Sequence, residues 1–79
     1  MEPPEVRALL AENIRAAARS RGLSIERLAD FAGVSRSQVF SVLAESTSPT
    51  VDWLTKVATA LELEPSALLT PADAKRSAR

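Results

Sequence analysis

Apolar residues in this chain recur every three or four positions and almost nowhere alternate one by one. The first pattern stacks side chains on one face of an α-helix, whereas the second would mark a half-buried strand. Val6, Leu9, Leu10, Ile14 and Ala17 form such a stripe after Pro3-Pro4, and Gly22 offers a stop. A first helix is therefore predicted from about Glu5 to Arg21. Ser24 is placed to cap a second, from about Ile25 to Ala32, which Gly33 ends. Ser35 caps a third, and Gln38 three residues later completes a Ser-x-x-Gln capping box. That helix is expected to reach about Ala44, before Ser46-Thr47-Ser48-Pro49 forces a loop. Thr50 caps a fourth, with Val51, Leu54, Val57, Ala58 and Leu61 on one stripe and Asp52 in the first turn, where the helix dipole favours an acid. Pro65 opens a fifth holding Leu68 and Leu69. No hairpin turn of the Asn-Gly or Asp-Gly kind intervenes. The prediction is all-α: five short helices in one domain, residues 1–70, followed by a flexible charged tail, 71–79.

The composition narrows what such a domain does. Its 79 residues leave no room for a second core, and 46% hydrophobic with 25% charged residues is ordinary for a soluble globular chain. A core of this size supplies about 3–5 kcal/mol, so self-association would help. Histidine and cysteine are both absent, which removes disulfides, thiol nucleophiles, the usual zinc and haem ligands and the usual proton-transfer residue. The serine and threonine hydroxyls have no histidine base, and no glycine-rich phosphate loop or calcium-loop spacing occurs. Glu26 and Asp30, four apart, read as a solvated helix face. No catalytic residue, metal ligand or cofactor is nominated. With no apolar run of roughly 18 residues and no signal-peptide core, a cytoplasmic protein without a membrane span is expected. Binding is the expected activity, not turnover.

The informative stretch runs from about 24 to 44, where two short helices are separated only by Gly33-Val34-Ser35. So tight a turn needs one position that glycine takes cheaply and a small residue where the helices touch. Gly33 and Ala29 meet the two demands, and Leu28, Ala32, Val34, Val39 and Val42 fall on the inward faces. This is the spacing of a helix-turn-helix. Ile14-Arg15, Arg21-Gly22-Leu23-Ser24, Leu28-Ala29, Ala32-Gly33-Val34-Ser35, Pro49-Thr50 and Lys56-Val57-Ala58-x-Ala60-Leu61 extend the match from Ile14 to Leu69. In that order and spacing the chain resembles the phage-repressor/Cro-type, XRE-like helix-turn-helix family.

The resemblance implies a five-helix, lambda-repressor-like DNA-binding domain whose third helix enters the major groove. The family's base-reading positions fall on Arg36, Ser37 and Ser41, with Gln38 at the flank. Arg36 is the leading candidate, because its fork matches guanine O6 and N7. Phosphate contacts fall on Ser24 and Ile25 at the start of the second helix, and on Ser46, Thr47 and Ser48 in the loop. Ile25 stands where the family usually has glutamine, so only its backbone donor remains. The loop offers hydroxyls where basic residues are more usual. Ala18 and Leu43 occupy the positions of a frequent Arg–Glu pair, so an apolar contact is expected in its place. Glu45 stands where the family usually has glycine, so the third helix is expected to run on by about a turn. Phe40 lies outward on the reading helix. Partial burial against the loop and Trp53 is the favoured reading, ahead of a thymine methyl contact or a partner surface.

The charge balance enters last. The chain is formally neutral, with ten basic and ten acidic residues, unlike most DNA binders. Basic residues nevertheless gather near the motif: Arg15, Arg19, Arg21, Arg27 and Arg36 face only Glu26 and Asp30. With so few phosphate contacts a monomer would bind weakly, and two copies on a palindrome about 34 Å apart would remedy that. Trp53, Leu61, Leu63, Leu68 and Leu69 supply more apolar area than a lone domain of this size needs. Trp53, Leu61, Leu63 and Leu68 are the candidate dimer contacts, with one or two of the leucines left for a partner. The expected function is a sequence-specific transcriptional regulator that binds double-stranded operator DNA as a homodimer. No small-molecule effector is evident, and without a second domain its control is expected to rest on concentration and operator affinity. The alternative is a protein-interaction module, antitoxin-like or otherwise partner-binding, that keeps the helix-turn-helix core.

Overall fold

A computed structural model describes residues 4–71. The proposed tail lies outside them apart from Pro71. Four α-helices run in chain order: α1 (Pro4–Ser20), α2 (Ile25–Ala32), α3 (Arg36–Leu43) and α4 (Val51–Ala60). Among the described residues there is no strand. The expected fifth α-helix is instead a 3₁₀ helix, Pro65–Leu69. With Leu61 and Leu68 both sunk in the core, the chain between them makes a tight return, for which short 3₁₀ segments are suited.

Each helix begins and ends for local reasons. Ser24, Ser35 and Thr50 hold extended backbone, and their hydroxyls accept hydrogen bonds from the N–H groups of Arg27, Gln38 and Trp53 at 3.1, 3.1 and 3.0 Å. All three predicted caps are therefore in use, although the capping box is realised only in its serine half. At the other ends a single motif repeats four times. Gly22, Gly33, Glu45 and Glu62 take left-handed φ values of 68°, 72°, 63° and 60°. The next residue then donates to the carbonyl five positions back: Leu23 to Ala18, Val34 to Ala29, Ser46 to Ser41 and Leu63 to Ala58, at 2.8 to 3.1 Å. This is the Schellman closure. Glu45 thus does not extend α3, contrary to the expectation above. It ends that helix in the conformation that glycine usually supplies.

The core gathers Leu10, Ile14 and Ala18 of α1, Leu28 and Ala29 of α2, Val39, Val42 and Leu43 of α3, Trp53, Leu54 and Val57 of α4, and Leu61 and Leu68. Ala18 and Leu43 are both buried there, so no charge is stranded where the ion pair is missing. Ala32 and Val34 are only half-buried, packed against the cluster's edge. Among the described residues, Asn13 is the buried polar one. Its amide donates to the carbonyls of Leu68 at 2.8 Å and Thr70 at 3.1 Å, tying the 3₁₀ helix to α1. Arg15 also binds main chain, donating to the Leu43 carbonyl at 3.3 Å and fastening the end of α3 to α1. None of the described helices is long and apolar enough to cross a membrane.

Candidate nucleic-acid interface

Helix α3 is fixed by its inward residues and lends its outward ones. Val39, Val42 and Leu43 lock it to the core, leaving Arg36, Ser37 and Gln38 exposed and Ser41 half-exposed. Phe40 stands on the same outer side with 46% of its surface exposed. Gln38 and Ser41 share a groove of about 220 Å³ with Thr47, Ser48, Thr50 and Trp53. The structure therefore brings two candidate base readers together with two loop candidates. Trp53 is buried beside them, and its Nε1 has no hydrogen-bond partner among the described residues.

Arg36 is not solitary. Its Nε donates to Asp30 Oδ1 at 3.3 Å and its Nη2 to Asp30 Oδ2 at 2.9 Å, a two-pronged ion pair across the turn from α3 to α2. The Arg36 hydrogen bonds hold the Asp30 carboxyl below the usual carboxylate range; desolvation opposes them, and the charges of Arg36 and Arg27 add to the lowering. Asp30 is thus a partner of the leading base reader and more than a solvated face.

The start of α2 presents Ser24 with the N–H groups of Ile25 and Glu26, which have no intrahelical partner in a first turn. Ser24 Oγ accepts from Arg27 N and keeps its own proton to donate. The Ile25 side chain turns into the cluster's edge. In the loop the candidates separate. Ser46 has spent both donors on the Ser41 carbonyl, its N–H and its hydroxyl each at 3.0 Å, so it closes α3 and offers no proton to a phosphate. Thr47 and Ser48 line the groove instead. A cation that the sequence reading missed also reaches this loop. Arg7 of α1 donates to Ser48 Oγ at 3.2 Å and to the Glu45 carbonyl at 3.4 Å.

The candidate dimer contacts need correction. Trp53, Leu61 and Leu68 are core residues, and buried side chains offer nothing to a second copy. Leu63 is half-buried against the same cluster. Of the C-terminal leucines, Leu69 is the exposed one, and other apolar side chains join it at the surface. Val51 is 79% and Leu69 43% exposed, and both line a depression of about 200 Å³ with Val6 and Pro49. Phe31, which the sequence reading did not single out, is 67% exposed beside a groove of about 650 Å³ that includes Lys56 and the Arg21–Glu62 ion pair.

Comparison with known proteins follows the same lines. The family model for helix-turn-helix proteins matches residues 14–68. A hypothetical transcription factor, NHTF from Neisseria, is 28% identical over 100% of this chain and 92% of its own, with a TM-score of 0.89. The restriction-modification controller protein C.AhdI from Aeromonas hydrophila is 32% identical over 78% of this chain and 94% of its own, with a TM-score of 0.75. An HTH_3-family transcriptional regulator from Vibrio cholerae is 31% identical over 82% of this chain but only 36% of its own, with a TM-score of 0.76. No curated protein matches.

Proposed function

The chain belongs to the helix-turn-helix family, and on that footing we propose that it is a sequence-specific DNA-binding transcriptional regulator, occupying a palindromic operator as a homodimer. The observation that carries this reading is the two-sidedness of α3. Three apolar side chains hold it on the core while Arg36, Ser37, Gln38 and Ser41 are left accessible, and the major groove of B-DNA admits a single helix of this kind. Arg36 reads a guanine edge, and Ser37, Gln38 and Ser41 bond neighbouring base edges. Ser24 and the Ile25 N–H hold one stretch of phosphates, and Thr47 and Ser48, with Arg7 behind them, hold another. Similarity to a restriction-modification controller supports a regulator that works by occupying its site.

The homodimer contact passes to Val51 and Leu69, the exposed apolar residues flanking the depression with Val6 and Pro49. Affinity for duplex DNA should fall by about 0.9 log unit per log unit of salt for every phosphate engaged. Titrating salt against a selected operator measures that slope. The exposed Phe31 beside its wide groove favours a second reading, a protein-interaction module on the same fold. A chain that ignores duplex DNA at low salt overturns the first reading in favour of the second.

A further inference from the structure

Among the described residues, Arg36 uses one edge of its guanidinium. The two bonds to Asp30 come from Nε and Nη2, the side-on edge of the fork. The end-on edge, formed by Nη1 and the second Nη2 proton, is left over, and it matches the paired acceptors N7 and O6 of guanine. Both side chains are more than half exposed, so a base edge can reach the arginine without displacing the aspartate. Asp30 sits on α2 and Arg36 is the first residue of α3. The carboxylate therefore fixes the arginine relative to the helix pair as a whole.

We propose that Asp30 is a positioning residue for base reading: it grips Arg36 from the side and presents its free edge to a guanine. This inference rests on the DNA-binding reading above and names the residue that sharpens its specificity. An unbraced arginine loses the freedom of its long stem on every contact and adapts to wrong bases or to phosphates. A braced one is already ordered before binding and loses more when the guanine is absent. The same carboxylate repels phosphates, so Asp30 trades general affinity for discrimination. Overall tightness and selectivity are therefore expected to move in opposite directions when it is removed.

The experiment compares wild type with Asp30→Ala, Asp30→Asn, Arg36→Ala and the Asp30→Ala/Arg36→Ala double variant. Each is titrated against a selected operator and its single-base-pair substitutions, with unfolding followed through Trp53 fluorescence to confirm an intact fold. The base pair read by Arg36 is the one whose substitution stops mattering in Arg36→Ala. At that pair, Asp30→Ala and Asp30→Asn should lower discrimination by about three- to fivefold, the scale of one exposed ion pair. Binding to unrelated duplexes should be unchanged or tighter, and the double variant should discriminate no worse than Arg36→Ala. Without DNA, the Arg36 Nε–H NMR signal should exchange faster with solvent in Asp30→Ala. Discrimination that is unchanged or improved in Asp30→Ala overturns the inference while leaving the function intact. A wild-type chain that distinguishes no sequences overturns the DNA-reading function itself, and the role of Asp30 with it.

Discussion

Two residues whose sequence context is unremarkable hold much of the arrangement together. Asn13 lies in the apolar stripe of α1, but its amide satisfies two main-chain carbonyls at the far end of the described chain. Asn13→Ala should cost about 2 kcal/mol, because the Leu68 carbonyl loses its partner in a buried place. Denaturant unfolding followed by Trp53 emission checks this, and a loss below about 0.5 kcal/mol would show that water replaces the amide. Asp30 is the second such residue. Its folded pKa is depressed, so the stability from its pair with Arg36 is present at neutral pH and is lost as pH falls through that lowered value. A carboxyl titration by NMR should place the Asp30 midpoint below the ordinary aspartate range near pH 4 in wild type, and return it to that range in Arg36→Ala. Neither partnership was visible in the linear chain. The Asn13 contact spans 55 residues to Leu68, and the Asp30–Arg36 pair joins different helices across a bend that must be built before the two meet. The caps at Ser24, Ser35 and Thr50 were legible for the opposite reason, since donor and acceptor lie three residues apart.

The helices share one ending and use two chemistries for it. Gly22 and Gly33 enter the left-handed region without a side chain to resist it, and at both positions the space around an added Cβ is open, so the demand there is on the backbone alone. Glu45 and Glu62 adopt the same conformation at a cost of about 1 kcal/mol each. Reading glycine as a helix stop therefore worked twice. It misled at Glu45, where the motif was satisfied by a residue that does not advertise it. Glu45→Gly should raise stability by somewhat under 1 kcal/mol, because the added freedom of the unfolded chain offsets part of the relief. It should also tighten DNA binding by removing a carboxylate from the loop that carries Thr47 and Ser48. Parallel unfolding and DNA titrations check both effects. Glu62 is the poorer target, since Arg21 donates to its carboxylate at 3.0 Å. The fifth element shows the same limit of local reading. Pro65 correctly marks a helical start, but the segment between the buried Leu61 and the end of the described chain holds a 3₁₀ helix, which local signals did not distinguish from an α-helix.

At the scale of the molecule, a formally neutral chain has to gain enough hold on a polyanion. Several of the arginines near the motif are engaged internally: Arg15 with the Leu43 carbonyl, Arg21 with Glu62 and Arg36 with Asp30. On the proposed reading, the further affinity comes from doubling the contacts in a homodimer. The described body measures 33 × 30 × 19 Å, and two copies on a palindrome would have to set their α3 helices roughly 34 Å apart. Leu61 and Leu68 were candidates for the contact because the C-terminal end is rich in apolar residues, but the closed core buries both completely. The surface proposed for the contact is Val51 and Leu69, whose burial together would contribute about 2–3 kcal/mol per copy. On the proposed reading, that favours a dimer assembled on DNA over a permanent one. Leu69→Glu places a charge in the contact and should leave the monomer folded, since this residue is already 43% exposed. It should abolish cooperative occupancy of a full palindrome while leaving half-site affinity within about twofold. Gel-shift titrations on whole and half sites, with sedimentation of the free protein, distinguish this from a general loss of binding. Undiminished cooperativity in Leu69→Glu would move the two-fold contact to another face, with the exposed Phe31 as the next to change.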